Sequence, residues 1–175
     1  MFVLEPERTA RRRKARAYGE LVGVGLSNDA HHPVTPCPEP AQASVAVRRA
    51  LEDARVSVQN VDYVNAHGTG TPVGDAVEAR GLRDVFGEHY RSVPVSSTKS
   101  MTGHLLTAAA ALEALACLAA IRRRAIPPTI NLDHPDPECD LCHVAHAARE
   151  AEVRVALSNS FGFGGSNSCA VFRAV

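Results

Sequence analysis

The sequence predicts an α/β fold, a mixed five-stranded sheet with packed helices. Three observations predict it. Short β-branched runs alternate with stretches whose apolar residues recur at helical spacing. Glycine or proline marks most junctions between them. The last two strand-like runs are separated only by the glycine-rich FGFGG at 161–165, so they pair back on each other.

In chain order, MFVLE at 1–5 reads as a short strand, and the basic segment after it as a helix ending at Gly19. ELVGVGLS at 20–27 is the first strand of the sheet. Four prolines and two adjacent histidines make 28–40 a loop. Val45, Val47, Ala50, Leu51 and Ala54 recur on one face of a helix over 41–55. VDYVNAHG at 61–68 is a strand running into GTGTP, and 75–86 is a helix stopped by Gly87. VPVSST at 93–98 is the third strand, followed by a long alanine-rich helix over 102–124 that Pro127 and Pro128 end. Strands over 153–160 and 168–175 complete the order. No repeat or low-complexity linker divides the chain, so 1–175 is expected to form one domain.

Nineteen basic residues balance nineteen acidic ones, which points away from nucleic acid and membrane surfaces as partners. The run RTARRRKAR at 8–16 is the local exception, read as a solvated helix face with docking of an acidic partner as the lesser alternative. The segment 105–121 is short for a membrane span, contains Glu113 and is mostly alanine. The five cysteines are irregularly spaced and no secretory signal is visible, so reduced thiols and a cytoplasmic location are expected. CDLCH at 139–143 matches a haem-attachment pattern, but that chemistry requires export, and four convincing zinc ligands are not at hand. No metal is expected.

Three stretches carry candidate chemistry, each where a strand ends, the usual place for ligands in open α/β sheets. In NAHGTGTPVGD at 65–75, His67 can reach open space and the hydroxyls of Thr69 and Thr71 can bond an amide-rich ligand. In VSSTKSMTGH at 95–104, Lys99 lies among hydroxyls, and Glu113 inside the apolar helix requires a buried partner that Lys99 can supply. His104 is expected in the first turn of that helix, where the dipole disfavours an imidazolium. In NSFGFGGSN at 159–167, Phe161, Gly162 and Phe163 form a hinged apolar turn. Taken singly, each has a plain structural reading: a satisfied histidine, a structural ion pair, a hairpin turn. Together they suit loss of CO₂ from a malonyl thioester and carbon–carbon bond formation, with two N–H donors holding the enolate.

VNAHGTGTPVGDAVEA, VSSTKSMTGHLLTAAAALEAL, IPPTINLDHPDPECDL and LSNSFGFGGSN, in this order, resemble the C-terminal half of β-ketoacyl-(acyl carrier protein) synthases, condensing enzymes of the thiolase superfamily. The resemblance implies a thiolase-like half-fold and decarboxylative Claisen condensation of an acyl thioester with malonyl-acyl carrier protein, in polyketide or fatty-acid synthesis. It implies that His67 and His104 donate to the thioester oxygen, with Lys99 organising the site and Glu113 supporting it. It implies that Thr69 and Thr71 hold a phosphopantetheine arm, that Phe163 is a gate with Phe161 and Gly162 beside it, and that 28–40 is a second mobile loop. No resident cofactor is implied, because the substrates ride on the carrier protein.

One departure stands out. The family's nucleophilic cysteine sits at a strand-to-helix elbow in the N-terminal half, and none of Cys37, Cys117, Cys139, Cys142 or Cys169 has that setting. The expected partners are therefore an N-terminal ketosynthase half on another chain or fragment, an acyl carrier protein, and a second ketosynthase or ketosynthase-like subunit in a dimer. The alternatives are a non-catalytic, chain-length-factor-type subunit and a cysteine hydrolase using Cys37 or Cys142.

Overall fold

A computed structural model describes residues 2–175. A six-stranded sheet in the order β1-β8-β7-β2-β3-β5 organises them. β8 (Ser166–Arg173) runs antiparallel to both β1 (Glu20–Asn28) and β7 (Val155–Gly162), whereas β7, β2 (Tyr63–Asn65), β3 (Pro94–Ser96) and β5 (Cys142–His143) are mutually parallel. The five strands expected to form the sheet are present. β5, predicted as loop, adds a sixth, and Val144 N–H extends it by donating to the Val95 carbonyl at 2.9 Å. A two-residue run carries no periodicity, so only the open edge of β3 reveals it. A separate ribbon pairs β4 (Ala125–Ile126) with β6 (Arg149–Glu150).

Period-two alternation divides the sheet between two cores. Val64, Leu157 and Val171 face α2 (Ala41–Ala54) and α3 (Pro72–Phe86), packing with Val47, Leu51, Leu82 and Phe86. Their neighbours Tyr63, Ala156 and Phe172 face α5 (Ala109–Arg123), packing with Cys117, Ala120 and Ile121. α2 follows the predicted spacing and stops where Arg55 turns left-handed. α3 begins three residues earlier than expected, because Pro72 supplies a preset first turn.

β1 carries glycine where it crosses α2. A Cβ on Gly25 would overlap the Ala46 carbonyl oxygen, and one on Gly23 the Ala50 carbonyl oxygen. Both obstacles are helix backbone, so they cannot rotate away. Gly25→Ala is therefore expected to destabilise the protein by about 2–3 kcal/mol through overpacking, read as a lower midpoint in denaturant at unchanged slope.

Three local expectations are corrected. Residues 2–5 join no strand: Val3 and Leu4 are exposed, and a strand persists only through bonds to a neighbour. Met1 of the same prediction lies outside the described residues. The basic helix, α1 (Glu7–Arg12), stops well before Gly19, because it buries no residue and has only local bonds to hold it. The long helix predicted over 102–124 is two helices, α4 (Lys99–Thr102) and α5, separated at Gly103, whose φ of +72° leaves the helical path. His104 consequently lies in the break and not in a helical first turn.

Candidate active site

Parallel pairing gathers the three chemical stretches. β7, β2 and β3 lie side by side, with Asn65 level with Ser158 on one flank and Ser96 on the other. Their C-terminal ends, and so the loops that follow, open at one edge of the sheet. His67 follows β2 by two residues, Lys99 follows β3 by three, and Phe161 lies near the end of β7.

The His67 and His104 rings are 5.6 Å apart and nearly perpendicular, at 84°. Phe161 closes the other side of His67, its ring centroid 5.5 Å away. Behind them Lys99 Nζ donates to Glu113 Oε1 in an ion pair whose side chains are 5% and 3% exposed. Ser160 Oγ donates to the second Glu113 oxygen at 3.1 Å. The buried carboxylate is thus satisfied on both oxygens.

His67 is held neutral, and His104 uses one ring nitrogen as an acceptor. Burial, then the Lys99 charge, then His104 push the His67 pKa down to about 3. The Leu106 N–H donates to His104 Nδ1 at 3.3 Å, which places the ring proton on Nε2 and leaves that N–H free to donate. This replaces the helix-dipole reason expected from the sequence. The His67 shift has a linked consequence for stability. The unfolded ring takes its proton near 6.5 and the folded ring resists it, so His67's contribution is complete above about pH 6.5 and is lost as pH falls toward 3. Melting temperatures measured from pH 7 down to 4 are expected to fall, and His67→Gln is expected to flatten that limb.

Glu78 completes the site and was not singled out from the sequence. It is buried in α3, where Oε1 accepts the His67 backbone N–H at 2.9 Å and Asn159 Nδ2 at 3.0 Å. Its Oε2 accepts the Gly68 N–H at 2.8 Å. One carboxylate therefore pins the loop after β2 to α3 and β7. A signal was available: Glu78 stands one turn before Leu82 on the apolar side of α3, a place for an acid only with partners. Thr69 Oγ1 and Thr71 Oγ1 lie 3.2 Å apart beyond this loop, with Thr69 half-buried and Thr71 exposed.

At the mouth, Phe163 is 74% exposed. The turn that carries it is tied to the β1–α2 loop. Asn28 Nδ2 donates to the Gly164 carbonyl at 2.9 Å and Asp29 N–H to the Gly165 carbonyl at 2.8 Å. Asn167 Nδ2 donates to Asp29 Oδ1 at 2.6 Å. No cysteine stands at a tight strand-to-helix elbow. Cys117 lies in α5 and Cys169 in β8, and burial pushes both thiols up, away from thiolate. Cys139 ends a short 3₁₀ turn, Cys37 lies in the β1–α2 loop and Cys142 in β5. In the CDLCH segment, His143 Nε2 is engaged by the Cys139 carbonyl at 2.7 Å.

The profile described as Beta-ketoacyl synthase, C-terminal domain matches residues 18–133, about two-thirds of the chain. The chain belongs to the β-ketoacyl synthase family. This ketosynthase C-terminal domain is 47% identical over 173 residues to 3-oxoacyl-(acyl-carrier-protein) synthase 2 of Coxiella burnetii, covering 99% of the chain and 42% of that protein. It is 49% identical over 175 residues to nodulation protein E of Rhizobium sp. (strain N33), covering 100% of the chain and 43% of that protein. A solved complex of a type II PKS acyl-carrier protein with its ketosynthase bound to the hexaketide superposes with a TM-score of 0.94 at 37% identity, over 98% of this chain and 42% of that one. The chain thus spans about two-fifths of the length of the relatives it matches, and its thiolase-like α/β fold is theirs. Among the described residues no helix is long and apolar enough to cross a membrane.

Proposed function

We propose that this domain is the decarboxylating and gating half of a β-ketoacyl-(acyl carrier protein) synthase, working with a complementary N-terminal ketosynthase half that supplies the nucleophilic cysteine. The observation that carries the reading is the perpendicular pair of imidazoles beside a buried lysine–glutamate pair. In this reading His67 and His104 donate to the malonyl thioester oxygen. The bond to the carboxylate breaks, its electron pair enters the enolate, and CO₂ leaves. The enolate carbon then attacks the acyl thioester on the cysteine of the other half, and that thiolate departs. Lys99 and Glu113 hold the ring surroundings, and burial with the Lys99 charge keeps His67 neutral. Thr69 and Thr71 face the pantetheine arm of the acyl carrier protein, and Phe161, Gly162 and Phe163 control the pocket mouth.

The reaction needs no resident cofactor in this reading, and residues 1–175 act as one ketosynthase domain. Five free cysteines favour a reducing, cytoplasmic setting. A dimer with a second ketosynthase or ketosynthase-like subunit completes the proposed assembly. A chain-length-factor-type role has less support, because His67, Lys99 and His104 are all present.

Mixing the chain with a ketosynthase N-terminal half, and following CO₂ release and 3-oxoacyl product from malonyl-carrier protein, tests the reading. Both are expected only in the mixture, and product is expected to vanish when the cysteine of the added half becomes alanine. Product formed by this chain alone, or a mixture that becomes acylated but releases no CO₂, overturns it.

A further inference from the structure

The β1–α2 loop contains a histidine that the chemistry above does not use. His32 Nδ1 accepts two backbone N–H groups, from Val34 at 3.0 Å and from Thr35 at 2.9 Å. An acceptor two and three residues before its donors is the geometry by which Asn and Asp side chains build a turn. Here an imidazole does it, and the shared acceptor atom must be the unprotonated ring nitrogen. Pro33 sits inside the turn so formed, and its carbonyl accepts the Gly164 N–H at 2.7 Å. Gly164 is the residue next to Phe163 and has a left-handed φ of +76°, which glycine adopts without strain, so the turn's position depends on the bonds made to it.

We infer that His32 is a positioning residue for the gate: by folding residues 32–35 around Nδ1 it presents the Pro33 carbonyl to Gly164 and so fixes the Phe163 turn against the β1–α2 loop. The inference rests on the reading of Phe163 as the gate, but its physical content is a coupling between two loops and can be measured without turnover. The ties through Asn28 and Asp29 anchor the base of the loop. His32 governs its tip, although Gly164 lies far away in the chain. Nothing in the bonding requires a histidine as such. It requires an acceptor on the atom bonded to Cγ, which Asn supplies at the same place and Leu does not.

Amide hydrogen exchange of the full chain, compared between wild type, His32→Leu and His32→Asn, tests it. His32→Leu is expected to speed exchange about tenfold in residues 32–37 and also in the 163–165 turn, as expected when one or two hydrogen bonds are lost. His32→Asn is expected to restore slow exchange in both segments, with β2 and β7 slow throughout. Faster exchange confined to 32–37, failure of Asn to restore the turn, or acceleration spread across β2 and β7 would each overturn the inference. In the complete enzyme, His32→Leu is further expected to alter selection among acyl chain lengths while malonyl decarboxylation stays within about twofold. Since the exchange readout involves no catalysis, it stands or falls separately from the proposed activity.

Discussion

His67→Ala in the complete enzyme is expected to slow malonyl decarboxylation about a hundred- to a thousandfold, the ordinary cost of removing one preorganised donor from a developing oxyanion. The donor is worth this much because it needs no rearrangement. Its loop is pinned through the His67 backbone N–H to Glu78, and Phe161 backs the ring. Transfer of an acyl group onto the nucleophilic cysteine, which does not pass through this ring, is expected to change only a few-fold. His104→Ala is expected to cost a similar factor, and the double variant less than the product of the two, because the donors act on one oxygen. The rate is also expected to show no inflection from His67 between pH 5 and 8, since burial and Lys99 hold its pKa at about 3. CO₂ release from malonyl-carrier protein measures all of this. Rates within a few-fold of wild type in both single variants would remove the histidines from the proposed step.

Glu113→Ala is expected to destabilise the protein by about 3–5 kcal/mol, because it leaves the Lys99 ammonium buried with no anion. Ser160 Oγ loses its acceptor in the same change. For a chain of this size the loss corresponds to roughly 10 °C or more in melting temperature. The double variant Lys99→Met/Glu113→Leu is expected to recover much of it, since apolar side chains of similar volume replace both charges. It should not recover activity. Lys99→Met also removes one of the causes that hold the His67 pKa down, so that pKa is expected to rise, measurable by NMR titration of the ring. A double variant no more stable than Glu113→Ala would show that the pair is not the energetic unit described here.

Most of the sheet was legible because its strands carry β-branched runs bounded by glycine or proline, and α2 and α3 because their apolar residues recur every three or four positions. His67, Lys99, His104 and the FGFGG turn were legible as chemistry, since reactive side chains at strand ends are conspicuous against an apolar background. The break between α4 and α5 was not. Alanine and leucine from 105 onward favour an unbroken helix, and the departure at Gly103 brings His104 to within 5.6 Å of His67, a contact 37 residues distant in the chain. Residues 2–5 failed for the opposite reason: their composition suits a strand, but they pair with no neighbouring strand.

Much of the local order, then, was written in the chain: which of the longer runs extend, which coil and which side chains are reactive. Propensity and periodicity act over a few residues, so they can be read in order along the sequence. Partnership belonged to the folded molecule. Glu78 meets Asn159 across 81 residues and Asn28 meets Gly164 across 136, and the parallel order of β7, β2 and β3 alone sets their loops at one edge. Contacts between distant residues depend on how layers pack and strands register, and no short stretch of sequence encodes either.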